Sequence, residues 1–211
     1  MHGADVTEVF LAAACSGELL TARATCAYVV WEKGIRVDEF SARIPSFYGE
    51  FRVPLTRIIA EVAALYFFTE TYRFAGADIL IRTESRFLID MLTGRRPAGF
   101  AVTRTKDLGL GGAFRGIDFW NAVHNLNDML NVMLYRLAID VDPLTGLAQA
   151  RRRMPAKPGD RVEGRFFAGR PRSVEVRAVK PTQNLHAGRL AKAAFARAED
   201  AGFFSGAQAG K

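Results

Sequence analysis

The sequence predicts an α/β fold, and three observations carry that reading. Three β-forming runs stand in succession near the start. Apolar residues then recur at helical spacing, and from there short β-forming runs alternate with helices. The predicted element order is βββαβα, a helical insert, then βα.

Taken in order, residues 7–14, TEVFLAAA, form a compact apolar run bounded by Ser16 and Gly17. Residues 25–31, TCAYVVW, are dense in β-formers ahead of a Lys33-Gly34 turn, and an extended segment over 36–44 is stopped by Pro45. Consecutive short strands usually neighbour one another in space, so the three are expected to pair, antiparallel. From Pro54 to about Thr71, Ile58, Val62, Leu65 and Phe68 repeat at helical spacing. Residues 77–82 read as a strand, followed by a helix carrying Phe87, Leu88, Met91 and Leu92 that Gly94 and Pro97 end.

Residues 99–116 are loop-like; Gly109, Gly111 and Gly112 are not followed by G-K-S/T, which argues against a phosphate-cradling loop. Trp120, Val123, Leu126, Leu130 and Leu134 form one stripe of a helix over about 119–137. Residues 140–172, rich in Pro, Gly and Arg, read as a long connection. Residues 173–180, SVEVRAVK, alternate as a strand, and 184–198 as an Ala-rich helix.

Composition bounds the function classes. With 211 residues, 49% hydrophobic and 24% charged, the chain suits one buried domain with appendages, and disorder of the whole is excluded. No apolar run approaches the roughly 18 residues of a membrane helix, and MHGADVTEVF lacks the order of a secretory leader. A cytoplasmic or a mitochondrial location is compatible with that start. Cys15 and Cys26 have no C-x-x-C spacing or nearby His, so both are expected to be buried thiols in strands, with no disulfide framework.

The net charge of +7 is uneven: residues 151–211 hold 14 Lys/Arg against 5 Asp/Glu, which leaves the rest of the chain slightly acidic. Cations gathered in one region favour a polyanionic partner through counterion release. Arg151, Arg152, Arg153, Lys157, Arg161, Arg165, Arg170 and Arg172 are the expected nucleic-acid contacts, with RNA as the expected partner.

Four stretches in the right order resemble the ribonuclease H fold. TRIIAEVAALYFF, residues 56–68, is similar to the family's first helix, in which a Glu binds metal; the match is Glu61. ILIRTESRFLIDMLTG, residues 79–94, is similar to the fourth strand and following helix, where the family writes T-D-S and the Asp binds metal; the match is Glu84. GIDFWNAVHNL, residues 116–126, is similar to the helix that opens D-L-W in bacterial members, and residues 174–194 resemble the last strand and helix, with its N-x-x-x-D-x-L-A.

The resemblance implies a five-stranded mixed sheet, three antiparallel strands then two parallel, with flanking helices. It implies a domain over 1–198 with a basic insertion at about 140–172, and a tail over 199–211. The family hydrolyses the RNA strand of RNA/DNA hybrids with two Mg²⁺ ions held by converging carboxylates. Here the first-strand Asp is matched by Ala12 and the last-helix Asp by Gly188, while Glu84 is one methylene longer than Asp. The family's flexible-loop His has no match, although His186 is close by; His186 and His124 are expected at the surface. An alternative register, with a last strand over 132–137 and Asp140 or Asp142 as the terminal acid, leaves Ala12 unrepaired.

The expectation is therefore a catalytically inactive ribonuclease H-like protein with no metal or other cofactor, in which Ala12, Glu61, Glu84 and Gly188 are vestigial positions. Its role is expected to be RNA-binding and structural, within a large ribonucleoprotein particle such as a ribosome, cytoplasmic or mitochondrial, alongside neighbouring proteins. Two alternatives stand beside it: an active Mg²⁺-dependent ribonuclease H that uses Glu61 and Glu84, and a protein-interaction module anchored by Phe166, Phe167, Phe203 and Phe204.

Overall fold

The computed structural model describes residues 6–16, 23–44, 56–74, 76–96, 117–141, 148–150 and 170–200. Strands β1 (Val6–Ser16), β2 (Arg23–Glu32) and β3 (Ile35–Arg43) lead into helix α1 (Thr56–Thr71), strand β4 (Asp78–Thr83) and helix α2 (Arg86–Leu92). Helix α3 (Ile117–Arg136) precedes the short strands β5 (Ile139–Val141) and β6 (Ala148–Ala150), and the described chain ends with β7 (Ser173–Ala178), a single 3₁₀ turn and helix α4 (Leu185–Asp200).

Five strands form one sheet in the order β3-β2-β1-β4-β7. β1–β2 and β2–β3 are antiparallel, and β1–β4 and β4–β7 parallel. The expected mixed sheet is thus present. Lys33 (φ 51°) and Gly34 (φ 76°) make the two-residue connection between β2 and β3, whose left-handed backbone suits the twist of a hairpin. β5 and β6 pair antiparallel as a separate ribbon inside the stretch that reads as a long connection. Strands of three residues are too short to print a period on the sequence, which is why the pattern misses them.

β1 is apolar on both sides because it is covered on both. Val9 and Leu11 face a core built with α1, α2 and α3, while Ala12 faces a second one with Ala27, Val29, Ala187 and Ala191 of α4. α1 is buried around most of its circumference from Ile59 to Leu65, as expected of a helix wedged between sheet and α3. Phe68 closes it with rings on three sides, centroids 5.7 Å from Tyr28, 5.5 Å from Tyr72 and 5.4 Å from Phe74. The α3 residues Leu130, Met133 and Leu134 complete this core. That segment is helical, so the alternative register with a strand over 132–137 is ruled out.

Of the two thiols, Cys26 is buried in β2 as expected, but Cys15 is exposed, because it sits at the end of β1 beyond the cover of the helices. Burial pushes the Cys26 thiol up from 9.0 to about 12. The unfolded chain therefore ionises this group first, so its contribution to stability is complete below about pH 9 and lost as the pH rises towards 12. Urea titrations at stepped pH are expected to show stability falling over that window, and less steeply in Cys26→Ala. In the native protein near pH 8, Cys15 is expected to react with a thiol reagent and Cys26 only after unfolding.

Candidate functional site

β4 ends at Thr83 and α2 begins at Arg86, and the two residues between them shape the site. Ser85 caps α2: its hydroxyl accepts from the Leu88 amide at 3.3 Å, filling one of the donors that a helix start leaves open. Thr83 Oγ1 accepts from the Ser85 amide at 3.0 Å, which fixes the turn. The capping role belongs to Ser85, so Glu84 is left to project from the strand end. There it lines a cleft of about 450 Å³ together with Ile58, Glu61, Ser85, Arg86, Phe87, Val179 and Pro181. Two of the four positions singled out in the sequence, Glu61 and Glu84, thus share one cleft.

The other two do not add donors to it. Parallel pairing of β1 with β4 sets Leu11 beside Thr83, so Ala12 is the next residue along, level with Glu84. Its methyl group is buried in the apolar contact with Ala187 and Ala191. Gly188 lies in the first turns of α4, and a Cβ built on it meets no atom within 4 Å. Glycine is strained neither by φ nor by space there, so it only weakens the helix. Gly188→Ala is expected to stabilise the fold by about 0.5–1 kcal/mol, read as a higher urea midpoint.

Asn184 is the residue that sequence reasoning passes over. It is 2% exposed, at the junction of the 3₁₀ turn and α4. Its Nδ2 donates to the Leu11 carbonyl at 2.8 Å and to Glu84 Oε1 at 3.2 Å. One amide therefore ties the middle of β1, where its pairing with β4 ends, to the end of β4 and the start of α4. Two acceptors on one nitrogen fix the amide's orientation, and its Oδ1 is buried with no hydrogen-bond partner among the described residues. The signal in the sequence was an Asn one residue before a helix and three after a Pro, a turn pattern that names no long-range partner.

Two Mg²⁺ ions need several carboxylates on one spot. Ala12 and Gly188 bring no donor atom, and among the described residues no group of three or more His, Cys, Asp or Glu could hold a metal ion. Among the described residues lining the cleft, Glu61 and Glu84 are the carboxylates, fewer than a two-metal centre asks for.

His186 stands away from the cleft: its Nε2 is 2.6 Å from Arg36 and 3.0 Å from Glu39, in an exposed cluster joining α4 to β3. His124, on α3, is a residue whose side chain lies outside those described. Among the expected nucleic-acid contacts, Arg172 is held by Asp78, its Nε donating to Oδ1 at 2.8 Å and a second guanidinium nitrogen to Oδ2. The Arg170 guanidinium sits 4.9 Å from the centre of the Tyr135 ring. Their backbones also bond Gly76 and Ala77, stitching the entry of β7 to that of β4. Arg151, Arg152, Arg153, Lys157, Arg161 and Arg165 lie outside the described residues, as do Phe166, Phe167, Phe203 and Phe204. No described helix is long and apolar enough to cross a membrane.

No family profile matches the sequence, and no curated protein does. Solved structures do match the fold. Ribonuclease H1 from the halophilic archaeon Halobacterium salinarum is 16% identical with a TM-score of 0.50, the match covering 91% of this chain and 98% of that one. The N-terminal ribonuclease H domain of a Mycobacterium tuberculosis protein is 12% identical with a TM-score of 0.51, over 94% and 99%. LC11 ribonuclease H1, isolated from compost and solved in complex with an RNA/DNA hybrid, is 12% identical with a TM-score of 0.50, over 92% and 99%. Identities this low speak for the backbone and not for the chemistry. With the sheet order and helix placement above, they establish that the chain has the ribonuclease H-like fold.

Proposed function

We propose that this chain is a non-catalytic ribonuclease H-like domain that binds RNA as a structural component of a large ribonucleoprotein particle, such as a cytoplasmic or mitochondrial ribosome. The observation that carries the reading is the state of the cleft. Where the family places carboxylates, Ala12 packs a methyl group against α4 and Gly188 leaves open space, while the Asn184 amide holds Glu84 to the Leu11 carbonyl. Hydrogen bonds join the end of β4 to the middle of β1 there.

The cationic C-terminal third supplies the RNA-binding half of the reading, since folded RNA is recognised largely through phosphate and 2′-hydroxyl contacts. That LC11 ribonuclease H1 was solved on a nucleic-acid duplex supports the fold as a scaffold for such contacts. Purified protein is expected to bind a structured RNA hairpin at low salt, with affinity falling steeply as salt rises, and tagged protein to bring down ribosomal RNA and neighbouring proteins from cells. No RNA binding at low salt, and no RNA or particle protein recovered, would remove the reading.

A further inference from the structure

A second cationic surface lies outside both the cleft and the basic insertion. On α4, Arg189, Lys192 and Arg197 are exposed, with Ala193 and Ala196 exposed between them. At about 100° per residue all five fall within an arc of about 140° on one side of the helix. Arg189 and Arg197 are separated by roughly 12 Å along the axis.

Six arginines elsewhere on the domain are already engaged by acids. Glu8, Glu39, Glu70, Asp78, Asp90 and Glu175 each hold an arginine in an ion pair. Among the described residues no acid pairs with Arg189, Lys192 or Arg197. Asp128, an exposed acid, lies on α3 on the opposite side of the sheet. The small Ala193 and Ala196 keep the ground between the cations low, so that a phosphate backbone can approach closely.

The face is also rigidly mounted. Ala187 and Ala191 seat α4 directly on the sheet against Ala12 and Ala27, and Thr25 Oγ1 donates to the Ala191 carbonyl at 2.7 Å, pinning the helix at mid-length. A platform already ordered loses little freedom on binding beyond that of its long side chains.

We propose that the outward face of α4 is a docking surface for the phosphate backbone of structured RNA. The inference rests on the reading that this chain binds RNA, and adds a site on the domain itself. Charge complementarity selects the occupant: three cations that no acid among the described residues pairs, with the exposed Leu185 and the His186–Glu39 contact a turn before them, suit a phosphate ladder.

The test uses the full chain and a labelled RNA hairpin with a stem of about 16 base pairs, titrated by fluorescence anisotropy at several salt concentrations. Three proteins are compared: the wild type, Arg189→Ala/Lys192→Ala/Arg197→Ala, and Arg151→Ala/Arg152→Ala/Arg153→Ala. Alanine favours helix, so circular dichroism is expected to be unchanged; the corresponding Gln triple replaces any α4 variant that fails to fold. The inference expects the α4 variant to bind on the order of tenfold more weakly at low salt, with the salt slope reduced by about 3. If the α4 variant matches the wild type while the 151–153 variant is weakened, the α4 surface is wrong and the RNA-binding reading stands; that is also the result for a face that meets an acidic protein. If the wild type binds no RNA, both fall.

Discussion

Asn184→Ala is expected to lower the stability of the domain by about 2–4 kcal/mol. The substitution removes the donor shared by the Leu11 carbonyl and Glu84, and it does so at a site where Asn184 is almost wholly buried. Each acceptor then loses a partner that solvent replaces poorly, and each such loss costs about 1–3 kcal/mol. Some of the cost is offset, because the partnerless Oδ1 disappears with the side chain. Asn184→Asp is the sharper comparison. It keeps the shape but turns the donor into an acceptor facing two others, so it is expected to be at least as damaging at neutral pH and to recover partly on acidification, as the new carboxyl gains a proton. Urea midpoints for the two variants at pH 5 and pH 8 check both statements. Full stability in Asn184→Ala would mean that the strand ends are held by something else.

The largest effect is expected from Phe68→Ala, a loss of about 3–5 kcal/mol. Phe68 is 0% exposed and packs against Tyr28, Tyr72 and Phe74 from the middle of the principal core. The change removes the transfer free energy of a whole ring and leaves a void that backbone in a helix and a sheet cannot close. Edge-on and stacked ring contacts are lost in addition. Against the 5–15 kcal/mol by which domains are usually stable, the loss brings the variant close to unfolding at body temperature. Phe68→Leu, which retains most of the volume, is expected to lose roughly half as much or less. A drop below about 1 kcal/mol for Phe68→Ala in urea unfolding would show that the ring does not hold α1 to the sheet.

The fold was legible in the sequence to the extent that its elements were periodic. The β-forming runs in residues 7–44 and the helical repeat through Phe68 gave the antiparallel strands and α1, and the T-E-S turn marked the end of β4. What escaped detection was short or long-range. β5 and β6 are three residues each, too brief for any period. Cys15 looked like its neighbours in the apolar run, yet where the cover of a strand stops is decided by other elements. Asn184 reads locally as a turn residue, and its partners lie 173 and 100 positions away. The candidate site was legible as positions, since Glu61 and Glu84 do share a cleft. The part of Asn184 in it was not legible, because a buried amide that bridges residues distant in sequence carries no local signature.

The α4 face shows the same limit in a different form. Residues 151–172 dominated the charge reading because eight cations crowd into one short stretch, three of them consecutive. On α4 the cations are three to five apart, and only the helix brings them to one side. The pairing of Arg172 with Asp78 could not be read from composition either. A count of cations does not say which are already engaged.

On the reading proposed above, the cleft between β4 and α1 is not catalytic. The most direct measurement is hydrolysis of an end-labelled RNA/DNA hybrid by the purified chain in Mg²⁺ and in Mn²⁺, with Glu61→Gln run beside it. No cleavage above the no-enzyme rate in either metal, and no difference between the two proteins, is the predicted result. Cleavage by the wild type that Glu61→Gln abolishes would contradict it, and would make Glu61 and Glu84 part of a working metal site.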